Sequence, residues 1–296
     1  MSGGDREHRG TIFAEDAAVL SQDEYAGQQY IIRLHAPLCA ARARPGSFAH
    51  VCCDPAVPMR RPLSIMRASA DGGWIELLYK VIGDGLRHLS CRQRGDSVSI
   101  IGPIGNAFVA CPGKSRPLLI GGGVGIPPIV FLAESFAADH GAAKQTLVLM
   151  GSELPFPFQT VASALPVPGA GREVTHAMPL MESLGIASRL ASGSEFSGCY
   201  RGFVTELARG CLQVMSDGEL AEVEIFACGP EPMLDAIARL ARDFDLPCQI
   251  SLEEFMACAV GGCAGCTVEV QTAAGVAMKR VCVDGPVFDA RTIYAG

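Results

Sequence analysis

From about residue 11 to 110 the apolar positions come in short runs, "QQYIIRLHAP", "GSFAHVCC", "WIELLYKVI" and "DSVSIIGPIG", each closed by Gly, Pro or Asp. A spacing of roughly 8 to 12 residues between such runs is the rhythm of short strands joined by tight turns, and it predicts an all-β barrel or sandwich. The segment "CPGKSRP" (111–117) reads as a hinge, and beyond it the period changes. "PLLIGGG", "QTLVLMGS" and "EIFACGP" read as buried strands, and "PPIVFLAESFAADHG" as a helix ending at its glycine. "EPMLDAIARLARDF" is an amphipathic helix with apolar residues at 233, 234, 237, 240 and 241. Strands alternating with helices predict a parallel sheet covered on both faces, an architecture whose strand ends bind nucleotides. From about 251 a third, small unit follows, with a cysteine-rich loop and a hairpin of "TVEV", a "QTAAG" turn and "VAMKRVC".

Composition narrows the picture. With 296 residues, 49% of them hydrophobic, the chain is long enough for two or three domains with their own cores. A net charge of −7 without any basic run argues against nucleic acid and anionic membranes as partners. No apolar run approaches the roughly 18 residues of a membrane span, and the start "MSGGDREHRG" is too polar for a secretory signal, so a cytoplasmic address is expected. Nine of the 13 cysteines, among them Cys52, Cys53, Cys91 and Cys111, are scattered and read as reduced, small hydrophobes.

The other four form a pattern. Cys258, Cys263 and Cys266 are spaced C-x(4)-C-x(2)-C, with Cys282 following in "KRVCVDGP". That is the spacing of plant-type 2Fe-2S binding. The bridging sulfides of such a cluster need main-chain N–H groups around them, and "AVGGCAG" supplies small residues able to take positive φ. A structural zinc also accepts four cysteines, although zinc sites usually pair two separated C-x(2–4)-C units, so both metals stay open on spacing alone. "LLIGGGVGIPPIV" sets a glycine loop between a strand and a helix, where main chain can approach a pyrophosphate. "ACGPEPML" is a second strand-to-helix loop. In "MRRPLSIMRA", Arg60, Arg61 and Ser64 stand at a strand start, where an arginine and a hydroxyl suit a phosphate and a flavin edge.

The order "RRPLS", "YKVIGDGLRHLS", "GPIGN", "IGGGVGIPP", "CGPEPM" and then the cysteine tail resembles the ferredoxin-reductase superfamily. Within it, the sequence is most similar to the electron-transfer subunits of dihydroorotate dehydrogenase B, over about residues 11–290. The resemblance implies an antiparallel β-barrel that binds FAD (11–112), an α/β domain that binds NAD (113–250) and a small 2Fe-2S domain (251–296). On the FAD side it implies Arg61, Pro62, Leu63 and Ser64, then Lys80, Val81, Ile82, Gly83, Gly85 and Leu86; relatives often carry Thr where this chain has Leu86. On the NAD side it implies Gly121, Gly122, Gly123 and Gly125, with Cys228, Gly229 and Pro230 in the second loop. Cys228 is expected near the meeting point of nicotinamide and flavin, and the four patterned cysteines are the implied metal ligands.

The implied function is an oxidoreductase component that carries electrons between NADH and a flavin-containing dihydroorotate dehydrogenase catalytic subunit, in a hetero-oligomer of pyrimidine biosynthesis. Such a role needs no catalytic acid or base, and none is assigned. Two other readings remain open at this point, a free-standing NAD(P)H:acceptor reductase serving ferredoxin, a quinone or a hydrogenase, and a redox-sensing or structural metal-binding protein. Small apolar residues Ala259, Val260 and Ala264 beside the cysteines predict a contact surface. Ser152 and Glu153, with no neighbouring Arg or Lys for a 2′-phosphate, predict preference for NADH. His35, His50, His88, His140 and His176 show no metal spacing and read as surface or satisfied core, and "PFPF" (155–158) as loop packing.

Overall fold

A computed structural model of the chain describes residues 11–138 and 140–294, so the "MSGGDREHRG" start lies outside the described residues. Strands β1 (Phe13–Tyr25), β2 (Gln29–His35), β3 (Phe48–Cys52), β4 (Arg61–Ser69), β5 (Trp74–Lys80) and β6 (Ser97–Ile104) close into a barrel in the order β1-β2-β5-β4-β3-β6. Every neighbouring pair is antiparallel. The period of two decides which side chains fill it: Ala49 and Val51 of β3, Leu63 and Ile65 of β4, and Ile75, Leu77 and Tyr79 of β5 form the interior. Helix α1 (Pro37–Ala40) follows β2, and α2 (Gly83–Ser90) follows β5. The carbonyls at the C-terminal end of α2 are gathered by one side chain, with Gln22 Nε2 donating to Leu89, Ser90 and Arg92 at 3.2, 3.0 and 2.9 Å. Buried Tyr79 in turn donates its hydroxyl to Gln22 Oε1 at 2.8 Å, which fixes α2 against the barrel by its far end.

Next come β7 (Arg116–Gly122), a 3-10 turn at Gly123–Gly125, α3 (Ile126–Ala137), α4 (His140–Gln145) and β8 (Leu147–Gly151). An excursion with β9 (Val161–Ala162), β10 (His176–Ala177) and α5 (Pro179–Ser183) leads to β11 (Ala187–Ser192), β12 (Tyr200–Arg201), α6 (Val204–Gln213) and α7 (Asp217–Leu220). Then follow β13 (Val223–Cys228), α8 (Glu231–Asp243) and β14 (Cys248–Ser251). The C-terminal unit adds a hairpin, β15 (Thr267–Thr272) with β16 (Gly275–Arg280), then β17 (Val287–Asp289) and α9 (Ala290–Ile293). Among the described residues the second sheet runs β12-β11-β8-β7-β13-β14-β17, parallel except for the antiparallel β14–β17 pair. Burial on both faces explains the apolar runs: each residue of β13 is buried. The helix expected to end at Gly141 instead stops at Ala137, and α4 begins at His140.

"CPGKSRP" is not a free hinge. The Cys111 N–H donates to Glu224 at 2.8 Å, Lys114 Nζ to the Ala221 carbonyl at 2.7 Å and Ser115 Oγ to Glu222, while Arg116 pairs with Glu219 at 3.4 Å. A second seam joins barrel and sheet through side chains. Arg67 of β4 meets Glu134 of α3 at 2.8 Å and buried Glu76 at 3.5 Å, and Glu76 also takes Arg33 at 2.6 Å. No helix among the described residues is long and apolar enough to cross a membrane.

Candidate redox site

The cysteine loop between β14 and β15 bends through left-handed backbone at Ala259 (φ 56°), Gly261 (φ 82°) and Ala264 (φ 56°), as the run of small residues predicts. A Cβ at Gly261 would stand 2.6 Å from Val283, so glycine there is required by the close approach of the segment carrying Cys282. The thiols fall into two pairs. Cys266 and Cys282 are buried, their sulfurs 3.4 Å apart, and pack with Phe48 and Ile104 of the barrel. Cys258 and Cys263 lie further out, Cys263 exposed. The N–H groups of Val260, Cys263 and Gly262 turn towards the Cys258 sulfur and lower its pKa to about 7, the condition for a thiolate ligand. Burial, and next to it the partner thiol Cys266, push Cys282 up to about 12.

Among the described residues no three Cys, His, Asp or Glu side chains converge as they would around a single ion. The four thiols, with N–H groups turned towards the Cys258 and Cys263 sulfurs, would fit a 2Fe-2S cluster, whose sulfides need such donors. The segment after β6 fastens this cage to the barrel. Asn106 Nδ2 donates to the carbonyl of Asp284 at 2.9 Å and its main-chain N–H to Gly285 at 2.6 Å, just past the fourth cysteine. "GPIGN" is thus the clasp of the cage, a role that only chain-distant contacts reveal.

At the start of β4 the two arginines part company. Arg60 is consumed by the barrel, donating to the carbonyls of Ser99 (2.8 Å) and His50 (3.2 Å) and to Ser99 Oγ (3.0 Å). Arg61 donates only to main-chain carbonyls of Met59 and Arg60, and its guanidinium lies over Gly85, where a Cβ would meet it at 3.2 Å. Arg61 therefore stands at the open N-terminal turn of α2, with Gly83 in left-handed backbone (φ 72°). A cation beside free helix N–H groups suits a pyrophosphate. Pro62 and Ser64 share the outward face of β4, and exposed Ile82 stands at the N-cap of α2. Lys80 leaves the barrel on the outward face of β5. Leu63 and Leu86 point into the barrel core, and Val81 packs against it with its N–H given to Gln28. These three can serve a cofactor only through main chain, because strand alternation at Leu63 and Val81 and the inward face of α2 at Leu86 turn their side chains to the core.

The two glycine-containing loops are knit together at adjacent strand ends, since Gly121 of β7 lies opposite Cys228 of β13. A Cβ at Gly125 would stand 2.4 Å from the Cys228 carbonyl group, and one at Gly122 or Gly229 would strike Met233. Gly121 is closed off by Ile126. Gly123 differs: φ is 54° and nothing lies within 4 Å of its missing Cβ, so it is the glycine that faces open space for a ligand. Pro230 is the N-cap of α8. Cys228 ends β13 at the strand edge, just before Gly229. Its thiol is fully buried among Ile126, Met66 and Phe226, and burial raises its pKa well above the ordinary thiol value. Arg201, unseen as a neighbour in sequence, stands at the end of β12 beside β11 and pairs with Glu195 at 2.7 Å, both side chains largely exposed. Phe156 and Phe158 stack at 5.3 Å within their loop.

The outward face of β4 orders these pieces. Pro62 lies across the ladder from His50 of β3; Ser64 follows, opposite Phe48, which packs on the inner thiol pair to the side of β4; Met66 ends in the cluster that holds Cys228 and Ile126. His35 and His88 are exposed and His176 is half-buried. His50, expected to be satisfied if buried, is buried without a partner at either ring nitrogen. The His140 side chain lies outside the described residues.

A family model described as the iron–sulfur cluster binding domain of dihydroorotate dehydrogenase B matches residues 253–294. The electron transfer subunit of dihydroorotate dehydrogenase B (NAD(+)) from Caldanaerobacter subterraneus subsp. tengcongensis is 34% identical, over 94% of this chain and 97% of its own length. The protein of the same name from Geobacillus kaustophilus is also 34% identical, over 94% and 98%. Among solved structures, an NADH-dependent reduced ferredoxin-NADP oxidoreductase superposes with a TM-score of 0.73 at 23% identity, covering 94% of this chain and 90% of that one. A ferredoxin reductase in carbazole 1,9a-dioxygenase gives 0.59 at 21%, over 80% and 67%. Both structural likenesses bear on the fold.

Proposed function

The chain belongs to the family of dihydroorotate dehydrogenase B electron-transfer subunits, and from that premise we propose that it carries electrons between NADH and a flavin-containing dihydroorotate dehydrogenase catalytic subunit. FAD and a 2Fe-2S cluster, when bound, supply the exchange between paired electrons and single ones. The chain's own residues bind, orient and insulate. Arg61 and the first turn of α2 hold the pyrophosphate of FAD, and Ser64 with Pro62 lines the ring site on β4. Gly123 and the Cys228–Pro230 loop receive the dinucleotide at the strand ends, and Cys258, Cys263, Cys266 and Cys282 ligate the cluster. The observation that carries this reading is the outward face of β4, with the nucleotide loops at its Met66 end and the buried thiol pair to its side, packed on Phe48, the β3 partner of Ser64.

The outer pair is the exit. Phe255 is 95% exposed and Val260 52%, and a cavity of about 820 Å³ lined by Arg42, Arg44, Val260 and Cys282 opens beside the cage. Exposed apolar groups next to a redox centre suit a partner surface. The chain works as three units close to 11–112, 113–250 and 251–296, the last returning β17 to the second sheet, and it acts in the cytoplasm in pyrimidine biosynthesis. Anaerobic purification with analysis of iron, acid-labile sulfide and FAD, then co-expression with the dihydroorotate dehydrogenase of the same organism, tests the proposal. Co-elution and NAD-linked dihydroorotate oxidation are expected. A chain holding zinc without iron, or an iron-loaded chain that neither co-elutes nor supports oxidation, overturns it.

A further inference from the structure

β3 separates the flavin motif from the cage, and His50 stands at its middle. Across the ladder it faces Pro62 of β4 on one side and Ile101 of β6 on the other; Ile101 packs against the cluster unit. With Ala49 and Val51 turned into the barrel, the His50 ring projects outward. It is 1% exposed, and neither Nδ1 nor Nε2 has a hydrogen-bond partner among the described residues. Orphaned buried polar atoms are rare and costly, and a redox site is one of the places where they are retained. Because protein covers both nitrogens, a flavin in the crevice cannot reach them in this arrangement.

Burial, reinforced by the charges of Arg60 and Arg61, keeps the imidazole neutral, so it carries a single N–H donor. The main chains of Met256, the stronger influence, and of Arg60 lie near enough to favour that N–H, yet both are outside hydrogen-bonding geometry. Met256 is buried two residues before Cys258, in the cluster that holds Phe48, Cys266 and Cys282. The inner sulfurs are 3.4 Å apart. Cys258, two residues after Met256, is one of the four ligands, so a loaded cage would hold the segment that carries Met256 in place.

We propose that His50 is a positioning residue for the cluster loop: its ring N–H donates to the Met256 carbonyl once the cage is loaded, tying the loop to the strand behind the flavin motif. The proposal rests on the reading that the four cysteines hold an iron–sulfur cluster. It is tested on the full holoprotein with His50→Phe, which keeps a ring without N–H, and His50→Gln, which keeps an N–H donor. Loss of one net hydrogen bond predicts about five- to tenfold faster release of the cluster from His50→Phe under a chelator, followed by visible absorbance, with FAD content unchanged. His50→Gln should restore most of the retention. Wild-type protein labelled with 15N-histidine gives a readout that needs no variant: a slowly exchanging His50 ring N–H should be present in the cluster-loaded chain and missing from the cluster-free one. Wild-type retention in His50→Phe, equal impairment of both variants, or the same fast ring exchange in both states overturns the proposal. Iron analysis of the same samples separates the two levels, because iron-free wild type refutes the cluster reading itself, whereas iron-loaded protein with any of these results refutes only the role of His50.

Discussion

Gly125 and Gly123 are neighbours in one loop, and substitutions at the two should fail for opposite reasons. At Gly125 an added Cβ would stand 2.4 Å from the carbonyl carbon and oxygen of Cys228 and 2.5 Å from the Gly229 nitrogen, where ordinary contact begins at 3.4 Å. The obstacle is main chain at the end of β13, so the loops must part by about 1 Å, and overpacking of this kind costs about 1–3 kcal/mol. For a protein of this size that is a fall in Tm of about 2–5 °C. At Gly123 nothing stands within 4 Å, but φ is 54°, a conformation that costs an L-residue other than Asn or Asp about 1–2 kcal/mol. Asn tolerates left-handed backbone and is larger than Ala. The order should therefore invert: at 125, Asn is worse than Ala, and at 123, Asn is better than Ala by Tm. Stopped-flow reduction of the bound flavin by NADH completes the test. Gly123→Asn should slow it through weaker NADH binding although the protein stays stable. If Gly125→Ala melts within 1 °C of wild type, or Asn at 125 is no worse than Ala, the close approach of the two loops is misjudged.

Three further outcomes are expected. Cys282→Ser should lose or weaken the cluster while NADH still reduces the flavin in a stopped-flow trace; a cluster-free variant that still reduces the physiological acceptor at the native rate would place the cluster off the path. Wild type should prefer NADH, and Glu195→Gln, by releasing Arg201 of β12, two strands from the Ser152–Glu153 loop, from its 2.7 Å pair, should raise the NADPH-to-NADH ratio of kcat/KM several-fold; an unchanged ratio would mean that Arg201 does not reach a 2′-phosphate. In the cluster-free chain Cys258, its pKa lowered to about 7, is thiolate above that pH, so its alkylation should rise through about pH 7, far below Cys282 at about 12; equal rates at pH 8 would contradict the N–H arrangement around Cys258.

Local grammar reaches a definite distance into this molecule. Strand rhythm foretells the barrel because the period-two pattern is written residue by residue, and the cysteine spacing foretells the loop because Ala259, Gly261 and Ala264 sit where the backbone must turn left-handed. It stops at contacts between distant segments. Nothing near Asn106 announces that it clasps residues 284 and 285, and Arg201 reaches β11 only through strand pairing. The resemblance marked Leu63, Val81 and Leu86 by position, but strand alternation for the first two and the buried face of α2 for Leu86 turn their side chains to the barrel core. Cys228 ends a strand whose every residue is buried, so its thiol is covered within the cluster that Met66 of the barrel also joins. The orphaned ring of His50 is a property of three segments together.

Ser251 and Val287 are direct partners in the antiparallel β14–β17 pair. Partners in such a ladder have Cα atoms only about 5 Å apart. The 35 residues between them, 252–286, therefore leave and re-enter the molecule through a doorway one strand pair wide. Geometrically the cysteine unit is the contents of an oversized hairpin, held at both ends by adjacent strands, clasped by Asn106 at residues 284 and 285 just before the chain re-enters, and packed on Phe48 and Ile104 of the barrel. It cannot swing as a domain on a single tether would, so the distance from flavin to cluster is set by the sheet rather than by diffusion of a linked module. The same doorway makes the unit separable: a two-residue turn joining Ser251 to Val287 would close the sheet edge without disturbing a strand, leaving the other two units with their connections intact.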